Sequence, residues 1–354
     1  MFYLPKLIQH IVVFRLSAMG DVAMTVPVLR AFVAQNPKIK ITLVSRPVYK
    51  PFFEDIENIN FFEFDGKKKH KGFFGLLRLY FDLKKLKIDA FADFHDVLRS
   101  KIVRNLFALS GKKIAIIDKN RVEKKALTRS KNKIFKPLPT VFEQQQKVFE
   151  RIGFKLNLSD PKFPKEAILS NSILDLIAEK DAVYKKKLIG IAPFAQHNSK
   201  VYPLDLMAKL IDTLALNNNY KILLFGGGDQ EIAILNSFSK NKENVICVAG
   251  KIKFQQELQL ISNLDVMISM DSGNAHIAAM LGLKVITLWG STHPFAGFSP
   301  FHQPSQNALL SDRNLFPKLP TSIYGNKKIK GYEQVMRTIS VEDICNAIEN
   351  NLKK

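Results

Sequence analysis

A predicted strand passes into a predicted helix at residues 269–279, which read SMDSGNAHIAA. Asp271 and Ser272 stand at the cap of that helix, and Gly273 lies just inside it. Backbone N–H groups at a helix start lack intrahelical partners and attract anions, and Ser272 adds a hydroxyl donor. His276 follows one helical turn later on the same face. The pattern predicts a phosphate site or, alternatively, an ordinary helix cap followed by a buried histidine.

Strands and helices alternate on both sides of this junction. Such alternation predicts an α/β fold with parallel, doubly wound sheets. The predicted strands are 11–14, 39–44, 59–64, 88–94, 114–117, 188–192, 221–225, 245–248, 266–269 and 285–288. The predicted helices are 22–33, 73–86, 97–109, 141–152, 204–216, 254–264, 274–281 and 341–352, with one more running from a glycine triplet through Phe238.

The length of 354 residues exceeds one ordinary core and suits two domains. Two prolines and mixed polarity place the domain linker within or near 155–187. We therefore predict doubly wound domains over 1–165 and 166–354, with a last helix able to pack back on the first domain. Ligands are expected in the cleft between the domains, at the carboxyl ends of the strands. The Lys- and Arg-rich residues 118–140 are predicted to form a mobile basic loop, and residues 291–330 are predicted to be rich in loops.

The chain is strongly basic. Its 53 Lys and Arg against 32 Asp and Glu give a formal net charge of +21. Such a charge attracts polyanions, which include nucleic acid, anionic lipid headgroups and phosphorylated substrates. A solubilising lysine-rich surface explains the same composition.

Three features of the sequence indicate the compartment. Cys247 and Cys345 form neither a disulfide framework nor a metal-binding spacing, which favours a reducing compartment. No run reaches the roughly 18 apolar residues of a membrane span. Lys6, Gln9 and His10 interrupt the apolar N-terminus, which indicates the entry to a strand rather than a signal peptide. We expect a cytoplasmic protein that meets a membrane only from its surface.

Several catalytic motifs are absent or incomplete. The triplet at 226–228 lacks the third glycine of a dinucleotide fingerprint, because position 231 is Glu231. A nicotinamide cofactor is therefore not expected. The glycine triplet is expected to form either a tight turn or a stretch of backbone that lines a nucleotide site. Asp93 and Asp96 flank His95 at the end of a predicted strand, and a turn or acceptor-side role is favoured there over a metal site.

A second junction lies at residues 15–22, which read RLSAMGDV. Ser17 is a candidate helix cap, and Gly20 permits a sharp turn close to a ligand. Asp21 begins the predicted helix, where an acidic residue stabilises the helix dipole. Alternatively, a carboxylate facing the cleft takes a proton from an attacking hydroxyl.

These two junctions and LWGSTHP at 288–294 resemble, in order, the signatures of the ADP-heptose:lipopolysaccharide heptosyltransferase family, glycosyltransferase family 9. The family patterns are roughly R-x-S-x-x-G-D, D-[ST]-G-x-x-H-x-A-A and G-x-T-x-P. The resemblance covers nearly the whole chain. It implies a GT-B fold, with an acceptor-side first domain and a second domain that binds the nucleotide sugar. It also implies inverting, metal-independent transfer of heptose from ADP-heptose to a lipopolysaccharide inner core, without a cofactor.

The resemblance also assigns residues to roles. Asp21 corresponds to the catalytic base, and Lys200 aligns with a lysine that would balance the charge of the departing phosphate. The donor site would contain Ser199, Asp271, Ser272, Gly273, Asn274, His276 and Thr292. The acceptor site would contain Ser17, Gly20, Arg99 and Arg121, and no metal is expected.

The chain departs from the family pattern at several positions. Gln255 or Gln256 replaces an acidic residue, which bears on donor identity if that residue binds the donor ribose. The other departures are Tyr202 for a Trp, Asn274 and Ala275 for Pro or Leu and Met, and Ser291 and His293 for Pro and Asp.

The basic segments are expected to face a phosphorylated lipid core at an anionic membrane, on the inner face of the inner membrane. They are Lys67, Lys68, Lys69, His70, Lys71, Arg99, Arg104, Arg121, Lys124 and Lys125. A nucleic-acid-binding protein would explain the charge but neither junction, so a nucleic-acid partner is not expected. A nucleotide-sugar epimerase on the same fold and a non-catalytic relative remain as alternatives.

Overall fold

A computed structural model describes residues 8–177, 186–327 and 329–353 of the chain. The chain divides into two compact units. Unit 1 contains Met1–Lys119 and Val141–Lys162, and unit 2 contains Asn120–Thr140 and Phe163–Lys354. The predicted first domain, 1–165, therefore differs from unit 1, because residues 120–140 belong to unit 2. The strand entry predicted before residue 8 lies outside the described residues, as does part of the predicted linker.

Unit 1 is built on a five-stranded parallel sheet with the order β3-β2-β1-β4-β5. Its strands are β1 His10–Phe14, β2 Lys40–Ser45, β3 Ile59–Glu63, β4 Ala90–Asp93 and β5 Lys113–Ile116. Its helices are α1 Met19–Ala23, α2 Thr25–Gln35, α3 Gly72–Lys84, α4 Leu98–Leu109 and α6 Val141–Ile152, and α5 belongs to unit 2. All five residues of β1 are buried, as expected of a central parallel strand.

The helix predicted over 22–33 is divided into α1 and α2. Pro27 lies in the first turn of α2 and has no N–H to donate to the carbonyl of Ala23, four residues earlier. The chain therefore cannot continue α1 through this point as one regular helix. The residue between the two helices, Met24, is buried.

Unit 2 is built on a six-stranded parallel sheet with the order β11-β10-β9-β6-β7-β8. Its strands are β6 Lys187–Ala192, β7 Tyr220–Leu224, β8 Val245–Cys247, β9 Val266–Met270, β10 Val285–Trp289 and β11 Ala308–Leu310. Its helices are α5 Arg121–Thr128, α7 Asn171–Leu176, α8 Leu204–Ala215, α9 Asp229–Ser239, α10 Phe254–Ile261, α11 Gly273–Met280 and α12 Val341–Leu352.

Two segments of unit 2 are more ordered than predicted. The predicted basic loop contains α5, whose Leu127 is buried against Leu138 and Ala296. The predicted linker contains α7, anchored by the buried Ile173. Helix α12, predicted over 341–352, packs against α8, β9 and β10 and contributes to the unit 2 core. In α5, the frequent lysines obscured the few apolar positions that anchor the helix.

In each sheet the strand order reverses between two strands that pair directly. These strands are β1 and β4 in unit 1, and β6 and β9 in unit 2. Ligands of doubly wound sheets bind beside such reversals, at the carboxyl ends of the strands. The turn after β1 leads to Asp21, and the turn after β9 contains Asp271 and Ser272. Both sequence junctions therefore lie where this fold places its ligands.

No helix within the described ranges has the length and apolar character needed to cross a membrane.

Candidate active site

The turn after β9 presents the start of α11. Ser272 is the N-cap residue, with an extended backbone at φ −145°, and α11 begins at Gly273. The Ser272 hydroxyl makes no capping bond to this helix and lies 3.1 Å from the Ser269 hydroxyl. Ser272, Gly273 and Asn274 are partly exposed. The start of α11 is therefore partly exposed, as an anion site at a helix N-terminus requires.

A lysine and an aspartate form an ion pair beside this helix start. The Lys200 Nζ lies 3.1 Å from an Asp271 carboxylate oxygen, and the side chains are only 13% and 8% exposed. Pairing of β6 with β9 brings together the turns that carry them. Low solvent exposure strengthens the interaction of this lysine with any nearby phosphate.

The turn that carries Lys200 is hydrogen-bonded to two other segments. The Ser199 hydroxyl lies 2.7 Å from the Ser291 hydroxyl and donates to the carbonyl of Gly325 at 2.6 Å. The Ser291 N–H donates to the carbonyl of Ser199 at 3.1 Å. A side chain at Gly290 would collide with that same carbonyl, so only glycine fits there. Ser199 therefore holds the lysine turn in place.

The remaining predicted donor residues are more deeply placed. His276 is 7% exposed, and Thr292 is 2% exposed. The Thr292 hydroxyl has no hydrogen-bond partner in the part of the chain that the structure describes. All seven predicted donor residues belong to unit 2, and their roles in binding stay a prediction.

In unit 1, Asp21 is held by its own turn. Its carboxylate accepts the N–H of Ala18 at 3.1 Å and pairs with the Arg15 guanidinium at 2.5 Å. Arg15 also donates to the carbonyl of Phe94 at 2.6 Å. Ala18, not Ser17, is the N-cap of α1, so the predicted capping role of Ser17 was wrong. The Asp21 carboxylate itself, three residues after Ala18, accepts the bond that caps the helix start.

The surroundings of Asp21 are cationic. Burial and the charges of Arg15 and Lys119 lower the pKa of His95 to about 3, with a smaller effect from Arg46. His95 is therefore neutral near pH 7 and supplies no charge of its own. Arg46 directly follows β2, and Lys119 lies just after β5, on the same sheet edge as Arg15. The sequence analysis missed Arg46 and Lys119, although their positions after strands were a usable signal.

The acidic turn after β4 is structural. The Asp93 carboxylate is fully buried, pairs with Arg104 at 2.6 Å and accepts the N–H groups of His95 and Asp96. Asp96 also pairs with Arg104, at 3.0 Å. The expectation that Arg104 faces an acidic lipid was therefore wrong. Within residues 8–177, 186–327 and 329–353, no cluster of His, Cys, Asp and Glu could hold a metal.

Two further basic residues differ from expectation. Lys124 is 7% exposed, and its ammonium lies 4.3 Å from the centre of the Phe298 ring. His70 is 2% exposed, stacks on Phe64 and has a pKa lowered mainly by burial. Neither can face a lipid as predicted. Among the predicted acceptor residues, Arg99 and Arg121 are exposed, but Arg121 belongs to unit 2 whereas Ser17, Gly20 and Arg99 belong to unit 1.

The departures from the family pattern have structural explanations at two positions. Tyr202 is fully buried, and its hydroxyl donates to the carbonyl of Ile339 at 2.8 Å. Gln256 accepts the N–H of Lys253 at 3.0 Å and so caps α10.

Glu231 stands where a dinucleotide fingerprint would have its third glycine. Its carboxylate accepts the N–H of Gly227 at 2.9 Å and fixes the glycine turn. Its place three residues into α9 was the signal for this role.

Two parallel, doubly wound units with sites at their strand ends are the architecture of GT-B glycosyltransferases. The chain matches a glycosyl transferase family 9 structure from Veillonella parvula with a TM-score of 0.74 and 19% identity, over 98% of this chain and 97% of that one. It matches the E. coli heptosyltransferase WaaC, solved with ADP, with a TM-score of 0.66 and 16% identity, over 97% and 100% of the chains. The predicted α/β, GT-B fold is confirmed.

The sequence comparisons identify the family. The family model of glycosyltransferase family 9 (heptosyltransferase) matches residues 76–325. The lipopolysaccharide core heptosyltransferase OpsX of Haemophilus influenzae is 25% identical over 346 residues, which cover 95% of both proteins. The chain belongs to glycosyltransferase family 9, and the prediction of a glycosyltransferase is confirmed.

Gly325 offers a test of the lysine turn. It has φ +82°, and a Cβ there would lie 2.6 and 2.7 Å from Cγ and Cδ of Lys200. We expect Gly325→Ala to lower kcat/KM for glycosyl transfer at least about tenfold, because misplacing a positioning group by about 1 Å is costly.

Gly331→Ala is the matched control for this prediction. Gly331 has φ +83° with open space around it, so it carries the same backbone strain, of order 1–3 kcal/mol, without touching Lys200. Melting temperature and kcat/KM are measured for both variants. Equal activity of the two variants would show that the Gly325 contact with Lys200 does not matter.

Proposed function

We propose that this glycosyltransferase moves heptose from ADP-heptose onto an acidic inner-core sugar of lipopolysaccharide. The observation that supports ADP-heptose as the donor is the Lys200–Asp271 ion pair beside the partly exposed start of α11. A lysine and unpaired helix N–H groups suit a diphosphate. Family membership and the names of the relatives, several of which are heptosyltransferases, support the choice of heptose.

The proposed reaction is a single displacement with inversion. An acceptor hydroxyl oxygen forms a bond to the anomeric carbon while the bond from that carbon to the diphosphate oxygen breaks. The hydroxyl proton passes to the Asp21 carboxylate. ADP leaves with the bonding electrons, and Lys200 together with the N–H groups at the start of α11 stabilises its growing negative charge.

The cations around Asp21 favour an acidic acceptor. Arg46 is exposed and Lys119 half-buried, and both act electrostatically on His95 within unit 1. An acceptor with carboxylate or phosphate groups would be drawn to them and would place its hydroxyl near Asp21. Arg15 is already engaged by Asp21 and Phe94, so it orients the base rather than the acceptor.

The test of this function combines binding with turnover. Thermal shifts are measured with ADP-heptose, with ADP and with UDP- and GDP-linked sugars, because only a bound ligand stabilises the fold. Transfer to purified inner-core acceptor is then assayed with excess EDTA, which we expect to leave the rate unchanged. Stabilisation by UDP or GDP sugars alone would refute the donor assignment. Conversion of the donor sugar without acceptor would instead support an epimerase.

The proposal includes peripheral binding to an anionic membrane on the cytoplasmic side. Phe73 and Phe74 open α3 and are 59% and 83% exposed. The exposed Lys67, Lys68 and Lys71 precede them directly. Exposed aromatic rings insert at a lipid surface, and each nearby lysine adds about 1 kcal/mol on an anionic leaflet.

We expect the double substitution of Phe73 and Phe74 by serine to weaken binding to phosphatidylglycerol-containing vesicles at least tenfold. Burying one Phe side chain contributes about 1.5–3 kcal/mol, so the loss of two is measurable by vesicle sedimentation. Transfer to a deacylated, soluble acceptor should stay unchanged.

Ile168→Ser is the control, because Ile168 is 94% exposed and belongs to unit 2. It should bind vesicles as the unmodified protein does. Vesicle binding by the double variant at full strength, or equal loss in the Ile168 variant, would contradict the assignment of this surface.

A further inference from the structure

Unit 2 contains a cavity whose lining includes none of the residues assigned above to catalysis, donor binding or acceptor binding. It has a volume of about 700 Å³ and lies against β10 and β11. Thr287 and Trp289 line it from β10, where alternate side chains share one face of the sheet. The aromatic rings of Phe135 and Phe295 also line the cavity. Neither Lys200 nor the start of α11 is among the lining residues. The volume is that of a site for a small organic molecule.

Two polar atoms in this wall have no partner. Thr287 and Trp289 are 2% and 1% exposed. The Thr287 hydroxyl and the Trp289 indole N–H make no hydrogen bond to any residue that the structure describes. Burying an unpaired donor costs about 1–3 kcal/mol, so native proteins retain few of them. A ligand that accepts these hydrogen bonds would recover that cost.

One corner of the cavity is cationic. The Arg313 guanidinium lies 3.5 Å from the centre of the Phe135 ring, and its Nε donates to the carbonyl of Leu319 at 3.1 Å. The one carboxylate of the lining, Asp312, accepts the N–H of Asn314 at 2.6 Å. A guanidinium that lies on an aromatic face is suited to bind an anion.

His293 adds a further hydrogen-bond donor in the same corner, next to the Phe135 ring. Its Nδ1 accepts the N–H of Phe295 at 3.1 Å, so the neutral ring carries its proton on Nε2. Burial, Arg313 and Lys133 lower the pKa of His293 to about 4, so the ring is neutral near pH 7. Burial and Arg313 also lower the pKa of Lys133 to about 8. The corner therefore has a positive field that a bound anion would relieve.

We propose that this cavity binds a small aromatic carboxylic acid. The ring of the acid packs among Phe135, Trp289 and Phe295, and its carboxylate pairs with Arg313. The buried donors of Thr287 and Trp289 complete the hydrogen bonds of the carboxylate. The site is separate from the Lys200–Asp271 pair, so it stands independently of the proposed glycosyl transfer.

Trp289 provides a direct readout, because it is the only tryptophan of the chain. Tryptophan fluorescence is followed while phenylacetate, its neutral analogue phenylacetamide, or the non-aromatic acetate is added to the full-length protein. We expect a saturable change with phenylacetate and at least tenfold weaker binding of the other two. Saturating ADP should leave the phenylacetate affinity unchanged.

Two variants locate the carboxylate. Arg313→Gln should weaken phenylacetate binding at least tenfold. Lys318→Gln is the matched control, because Lys318 lies over the Tyr332 ring and does not line the cavity. Thr287→Val replaces the unpaired hydroxyl and should weaken binding without lowering the melting temperature. No saturable change, equal affinity for phenylacetate and phenylacetamide, or full binding by the Arg313 variant would each overturn the proposal.

Discussion

Asp21→Asn should lower kcat for heptose transfer by about a thousandfold while leaving the affinity for ADP unchanged. General-base catalysis contributes about 100- to 10,000-fold, and an amide cannot accept the proton. The amide oxygen can still accept the N–H of Ala18 and a bond from Arg15, so the turn keeps its shape. Steady-state kinetics give kcat, and calorimetric titration gives the ADP affinity.

Asp55→Asn provides the matched control. Asp55 pairs with Arg30 at 2.7 Å and is 47% exposed, so the same change again removes one aspartate–arginine ion pair from unit 1. We expect its activity to stay within about twofold, because exposed pairs contribute about 0–1 kcal/mol. An Asp21 variant that keeps a tenth or more of the normal kcat would mean that another group takes the proton.

Ten of the eleven strands in the described residues were predictable because buried parallel strands are short, continuous apolar runs. The eleventh, β11 at Ala308–Leu310, lies in the segment predicted to be rich in loops. β1 and β9 lie almost where the sequence placed them, at His10–Phe14 and Val266–Met270. The helix cap at Ser272 was predictable for a similar reason, since glycine and small polar residues follow the strand directly. Local patterns of this kind fix where Asp271 and Asp21 stand along the chain.

The partners of these residues were not predictable, because they come from distant segments. Ser199 and Gly325 are separated by 126 positions, and nothing local marks their hydrogen bond. The sequence suggested that Arg104 is a surface cation, but in the structure its guanidinium pairs with the buried Asp93 carboxylate. A sequence shows that a residue carries charge, but its pairing depends on which strand ends meet at one edge of a sheet.

Removal of Lys200 is expected to affect stability and catalysis separately. Lys200→Met leaves the nearly buried Asp271 carboxylate without its cation, and such a loss costs about 3–5 kcal/mol when the pair is buried. The same variant should lose about 100- to 1,000-fold in kcat, because one electrostatic contact to the departing diphosphate is missing. Chemical denaturation and steady-state kinetics measure the two effects.

The double variant Lys200→Met with Asp271→Asn separates the two effects. It removes both charges, so no unpaired carboxylate remains buried, and we expect most of the lost stability to return. Activity should stay low, because the cation that meets the leaving diphosphate is still absent. If the double variant instead regains activity along with stability, Lys200 serves only to neutralise Asp271, and the leaving-group charge must be balanced by the N–H groups of α11 alone.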